Sequence, residues 1–416
     1  MKKSLLLLLS GFFCIFCSAQ KYELLSPDGK LKAEIEINNG IFTNLKKEGS
    51  EIVRLENLSL ETTAISQQST RYKVQKVTRR SVNEIINPEI REKASEIVNA
   101  FNELELRFRA DYAITFRLFN EGLAYRFATS LKEGLIIERE NLDIVLMTND
   151  SARFQSSEGF NSPYETPYEF KSLAGIEKGK LCNLPFLVEK ANGSFLMITE
   201  ADLYNYPGLW LRGSGQEQLT VANPPYPESF TTKGNAYVQG QVSGTYSFIA
   251  KVKGTRTFPW RIFAVADDEK DLISDNMVYL LASPCAIPEV SWIKPGVVMF
   301  DWWAKHNIYG VDFKSGINTE TAKYFINFCA EHGFRYFLFD DGWCAGDNIL
   351  KPVSGLNMEE VTSYARSKGV DVMLWVIWNT LEKQWDEAFS LFELLGIKGI
   401  KIDFMNRDDQ LMVEYY

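Results

Sequence analysis

Four stretches in the last third of the chain end apolar runs with residues that could do chemistry. They are Asp301-Trp302-Trp303, Asp340-Asp341-Gly342-Trp343, Trp378-Asn379, and Asp403 closing Gly399-Ile400-Lys401-Ile402-Asp403. Carboxylates beside indoles suit carbohydrate: a carboxylate hydrogen-bonds sugar hydroxyls and serves as acid, base or nucleophile, while an indole stacks on the apolar face of a sugar ring. No histidine pair and no Ser-His-Asp set accompanies them. The chain has only two histidines, His306 and His332. The second, in Glu331-His332-Gly333, suits a partner for a helix C-terminal dipole. Each feature also has a plain structural explanation. Asp403 could cap the following helix or pair with Lys401, and a Trp can simply fill a core. The adjacency of Trp302 and Trp303 counts against core packing of both, since neighbours on a strand point to opposite faces.

The elements that must position these residues are short, continuous apolar runs: Val297 to Phe300, Arg335 to Phe339, Val372 to Ile377 and Gly399 to Asp403. Helical stretches lie between them. One runs from Thr319 to Glu331 and stops at Gly333, one starts at the capping-box-like Asn357 and Glu360 and ends at Gly369, and one spans about Leu381 to Leu395 before Gly396. This alternation predicts parallel strands buried on both faces. No glycine-rich phosphate loop follows the first strand, and every strand ends in polar or aromatic residues, which favours a (β/α)8 TIM barrel over a doubly wound sheet. In a barrel the four strand ends share one pocket. A full barrel takes about 200 residues or more, so residues 288–416 are expected to form its first half, about four strands, in a C-terminally truncated chain.

Ahead of it, residues 20–287 predict an N-terminal antiparallel β-sandwich. Leu31 to Ile37, Leu104 to Phe108 and Ala113 to Phe119 alternate at period two, and Asn120-Glu121-Gly122 supplies a hairpin turn before Leu123 to Phe127. Gly193 to Thr199 and Gly244 to Ile249 read as further strands. Ser283-Pro284-Cys285 and Ile287-Pro288 mark the change to the second pattern.

The N-terminus reads as an export signal, residues 1–19. Lys2 and Lys3 precede the apolar Leu5 to Phe16, and Cys17-Ser18-Ala19 offers small residues before a cut leaving Gln20 first. A secreted or periplasmic location follows, with lipidation at Cys14 or Cys17 as the lesser alternative. Four cysteines remain, Cys182, Cys285, Cys329 and Cys344, without the CxxC spacing of a zinc site. The net charge of −9, with no basic run interleaved with aromatics, excludes a nucleic-acid partner.

Several stretches, in order along the mature chain, resemble glycoside hydrolase family 97: Ser26-Pro27-Asp28-Gly29-Lys30, Phe116 to Gly122, Thr199-Glu200-Ala201-Asp202, Pro259-Trp260-Arg261, Ser291 to Pro295, and Lys401-Ile402-Asp403-Phe404-Met405. The resemblance implies an exported α-glycosidase with a β-sandwich, a central barrel and a C-terminal β-domain, acting on an oligosaccharide. Asp403 matches the nucleophile of the retaining, α-galactosidase-like branch, which works through a covalent glycosyl-enzyme; the inverting branch has glycine there. Lys401 matches a sugar-hydroxyl contact and Asp341 an acidic sugar-binding residue. Trp302, Trp303 and Asn379 fall to the same subsite. Glu165, in Tyr164-Glu165-Thr166-Pro167-Tyr168, matches a ligand of a Ca2+ beside the substrate. The family's acid/base Glu and remaining calcium ligands lie on later barrel strands. Glu414, inside the helix after Asp403, does not replace that acid/base. The alternatives are an α-glucosidase or β-L-arabinopyranosidase of the same family, or a non-catalytic carbohydrate-binding protein in which the sandwich does the work.

Overall fold

Period-two alternation builds the first part of the chain as expected. Strand Leu31–Ile37 buries Leu31, Ala33, Ile35 and Ile37 and leaves Lys32, Glu34 and Glu36 partly exposed. The computed structural model describes residues 19–66 and 71–416. The expected export signal, apart from its last residue, and Cys14 and Cys17 lie outside the described residues.

Two antiparallel sheets of ten strands each form a sandwich. Their facing sides share one core, in which Ile35, Leu45 and Leu55 of the first sheet meet Leu104, Phe116 and Tyr125 of the second. The outer side of the second sheet is covered as well, because Phe101, Phe119, Trp260 and Ile262 pack against Met277 and Leu281 of helix Met277–Leu281. Strand Trp260–Ala266 is therefore buried along its whole length. The expected hairpin joins Tyr112–Phe119 to Gly122–Ser130. Gly122 is required there, since a Cβ would lie 2.3 Å from the Phe263 carbonyl oxygen.

One strand differs from expectation. Val242–Thr245 pairs with Pro227–Phe230 in a separate two-stranded arm. Tyr246 to Ile249 is irregular, with the Tyr246 and Phe248 rings clustered on Tyr226, before Ala250–Val252 rejoins the first sheet. Aromatic packing outside the ladder overrides the alternation.

Beyond the sandwich, strands Val298–Phe300, Tyr336–Phe339, Asp371–Ile377 and Gly399–Asp403 form a four-stranded parallel sheet whose spatial order equals the chain order. A doubly wound sheet would reverse direction at a switch point; this one proceeds as the first half of a barrel does. Helices Thr319–His332, Met358–Ser367 and Trp385–Leu395 cover one face, meeting Phe337, Val372, Leu374 and Val376. Their ends are cut where the sequence places them: Asn318 and Asn357 accept from Thr321 and Glu360 N–H as N-caps, and Gly333 and Gly396 take φ of 71° and 75°. The helix expected over Leu381 to Leu395 is two helices, Trp378–Lys383 and Trp385–Leu395. Gln384 breaks it at φ −121°, its side chain accepting the Ile349 N–H at 2.9 Å. Among the described residues no helix is long and apolar enough to cross a membrane.

Candidate active site

Strand alternation decides which side chains meet. Val372, Leu374, Val376, Ile400 and Ile402 turn toward the helices, so Trp375, Lys401 and Asp403 share the opposite face. The register sets Trp375 beside Lys401 and Ile377 beside Asp403. Asp403 closes its strand with a side chain 40% exposed. Trp375 Nε1 donates to Asp403 Oδ2 at 2.8 Å and Phe404 N–H donates to Oδ1 at 2.7 Å. Phe404 itself takes a left-handed φ of 64°, a conformation costing a bulky residue on the order of 1–3 kcal/mol. Each oxygen is thus held by one N–H donor and keeps lone-pair capacity for an incoming atom. A half-open carboxylate fixed in this way can act as a nucleophile.

Lys401 serves two acids. Its Nζ lies 2.8 Å from Asp340 Oδ2 and 3.5 Å from Asp403 Oδ2, and 4.7 Å from the Phe300 ring centroid. Asp340 is buried, so Lys401 is the counter-ion that makes its burial tolerable. Asp301 is buried too and bonds His306 Nδ1 at 3.0 Å. The imidazole is held above its usual pKa, chiefly by this bond to Asp301 and against the effect of burial.

The N-terminal domain reaches into the site. The arm Pro227–Thr245 carries Tyr237, whose hydroxyl lies 2.9 and 3.0 Å from the two carboxylate oxygens of Asp341. Burial, together with Asp341, pushes the phenol up to about 12. The arm is fastened by Asn379, whose Nδ2 donates to Ala236 O at 2.6 Å and Gln239 O at 2.9 Å. Past Asp403 the chain docks on the sandwich: Ser162 N–H donates to Asn406 O at 2.8 Å, Gly208 N–H to Asp408 O at 2.9 Å, and Trp210 Nε1 to Asp408 Oδ2 at 2.9 Å. A Cβ on Gly208 would lie 2.1 Å from Asp408 Oδ2. Burial raises the Asp408 carboxyl to about 7 despite the Trp210 hydrogen bond.

Two family descriptions match the chain, Glycosyl-hydrolase 97 N-terminal over residues 24–284 and Glycoside hydrolase 97 over residues 302–416. The chain belongs to glycoside hydrolase family 97. A relative, the retaining alpha-galactosidase of Bacteroides thetaiotaomicron, is 35% identical over 429 aligned residues, covering 100% of this chain and 64% of its own length. The chain therefore spans about 64% of that relative. Among solved structures, a family 97 enzyme from Pseudoalteromonas sp. strain K8 in complex with acarbose superposes with TM-score 0.80 at 21% identity, over 95% of this chain and 63% of that one. A beta-arabinopyranosidase superposes with TM-score 0.76 at 19% identity, over 95% of this chain and 64% of that one. These two likenesses establish the shared fold.

Of the residues the resemblance points to, Asp403, Lys401 and Asp341 lie at or near the C-terminal ends of the parallel strands. Trp302 and Trp303 lie not on a strand but on a 3-10 turn, Asp301–Ala304, and are 49% and 78% exposed. Neither fills a core, although the turn and not strand alternation is the reason. Asn379 is buried in the first turn of helix Trp378–Lys383, with its amide nitrogen committed to the arm. Glu165 is exposed, in a loop fixed by the Ser162 bond to Asn406 and by packing of Tyr164 on Trp210 at 5.6 Å. Ca2+ takes six to eight oxygens, and among the described residues no three His, Cys, Asp or Glu side chains converge as a metal site needs. Sequence reasoning missed Trp375 and Tyr237 as site residues, and placed Asp340 among the strand-end acids without giving it a role. Trp375 reads as one more apolar residue in a run, and Tyr237 lies in a turn-rich stretch of the other domain.

Proposed function

We propose that the protein is an exported glycosidase that cleaves terminal α-galactosidic linkages with retention of configuration, with Asp403 as the nucleophile. The posture of Asp403 carries this reading: a strand-end carboxylate, partly open, with one N–H donor on each oxygen. Asp403 attacks the anomeric carbon as the bond to the leaving oxygen breaks and an acid protonates that oxygen. Water then attacks the glycosyl ester, gives up its proton to the same group acting as base, and releases Asp403. The acid/base carboxylate is not among the four strand ends described here. Lys401 and Asp341 bind sugar hydroxyls, and the exposed indoles of Trp302 and Trp303 offer stacking surfaces. The name of the 35% identical relative supports galactose as the sugar, and the acarbose complex of the Pseudoalteromonas enzyme supports an oligosaccharide as the ligand.

The test uses the uninterrupted reading frame that contains this chain, assayed on nitrophenyl α-galactoside, α-glucoside and β-L-arabinopyranoside with NMR detection of the released anomer. The reading expects galactoside turnover with α-galactose appearing first. First-formed β-galactose contradicts retention, and sugar binding without turnover favours the non-catalytic alternative. A secreted product whose first residue is Gln20 supports export.

A further inference from the structure

We propose that Tyr237, supplied by the sandwich domain, is a specificity-determining residue of the sugar site, fixing the Asp341 carboxylate so that it accepts from one sugar hydroxyl and discriminates against the epimer. The inference rests on the sugar-binding role proposed for Asp341. The Tyr237 hydroxyl is nearly equidistant from both Asp341 oxygens, at 2.9 and 3.0 Å. A hydroxyl has one proton and a carboxylate about four lone-pair sites, so this bond orients the group and leaves acceptor capacity for a ligand. Asp341 is itself only half-buried.

Tyr237 is held too firmly to be a passing contact. Its ring stands edge-on to Phe404 at 4.9 Å and lies against Trp375 at 6.4 Å. Beneath it the arm is clamped by Asn379 on the carbonyls of Ala236 and Gln239. Gly240, at φ 86°, lies so flat on Trp378 that a Cβ would come within 2.5 Å of the indole. Trp375 in turn holds Asp403. One series of contacts therefore runs from the sugar-binding acid through Tyr237 and Trp375 to the nucleophile, and Tyr237 within it comes from the other domain. An equatorial and an axial hydroxyl at one ring carbon point in different directions, and only an oriented carboxylate can tell them apart.

The test compares the wild-type protein, from the uninterrupted reading frame, with Tyr237→Phe, which keeps the ring and removes the donor. Galactose and glucose affinities are measured by calorimetry, alongside KM and kcat for both nitrophenyl glycosides. Tyr237→Phe is expected to weaken galactose binding about 10-fold, the scale of one hydrogen bond to a charged group, and to lower the galactose-to-glucose preference by a similar factor. The rise is expected in KM, with kcat little changed. Asp341→Asn supplies the second arm: with Asp341 already altered, Tyr237→Phe adds no further loss. An unchanged sugar preference in folded Tyr237→Phe, or additive effects of the two substitutions, overturns the inference. Because binding is read directly, wild-type protein that binds and discriminates but does not turn over contradicts the glycosidase reading alone. Wild-type protein that binds neither sugar contradicts both.

Discussion

Trp375 Nε1 lies 2.8 Å from Asp403 Oδ2, so the third parallel strand reaches across to orient the carboxylate that ends the fourth. Two residues on neighbouring strands meet in this way because the register pairs Trp375 with Lys401 and Ile377 with Asp403. Trp375→Phe keeps a buried ring and removes the donor. A hydrogen bond to a charged group is worth about 1.5–3 kcal/mol, so kcat/KM is expected to fall about 10- to 100-fold. Thermal unfolding measured beside the kinetics separates this from a packing defect.

Lys401 stands between a buried acid and a half-open one. Lys401→Met leaves Asp340 buried without a counter-ion and is expected to destabilise the protein by about 2 kcal/mol in denaturant unfolding. That is less than for an enclosed pair, because the ammonium is 37% exposed. Adding Asp340→Asn is expected to recover most of the stability but not the activity.

The strand ends were legible because continuous apolar runs that stop at an acid are a local signal, which located Asp403 and Asp341; the roles given to Asp403, Lys401 and Asp341 came from the family resemblance. Trp375 was not legible, because its role exists only in the parallel register that brings it beside Lys401. Tyr237 lies 104 positions from Asp341 on an arm whose sequence reads as turns. Gln384 is an ordinary helix residue that breaks its helix to reach Ile349 N–H, a tertiary contact overriding local propensity. Glu200 and Arg261 fall in two stretches on which the family resemblance rests, and the structure shows why they occur together. They face one another across adjacent antiparallel strands.

That pair belongs to a buried ionic cluster. Arg261 is 1% exposed and binds Glu140 through two bonds of 2.8 and 2.6 Å and Glu200 through one of 2.5 Å. Arg261→Ala strands two carboxylates in the sandwich, and the expected loss is about 3–5 kcal/mol in urea unfolding. A variant within 1 kcal/mol or so of wild type would show that the cluster relaxes or takes up protons.

Asp408, at the junction of the two domains, gives a pH signature. Its folded-state pKa of about 7 lies above the ordinary 3.8, so the folded state binds the proton more tightly. The associated stability is fully present below the unfolded value and is lost as pH rises through about 7. Asp408→Asn keeps the shape and an acceptor for Trp210. It is expected to flatten the decline in stability between about pH 4 and 7 and to exceed wild type at pH 8, by on the order of 4 kcal/mol. Unfolding free energies measured across that range decide it, and a variant with the same slope as wild type contradicts the assignment.

The central claim is that Asp403 becomes covalently glycosylated. The direct measurement is peptide mass spectrometry of the protein, from the uninterrupted reading frame, after inactivation by a fluorinated α-galactosyl substrate with a good leaving group. The expected result is one fluorogalactosyl unit on the peptide containing Asp403, and none in Asp403→Asn. A label on a different residue, or turnover of α-galactoside by Asp403→Asn at near wild-type rate, would contradict it.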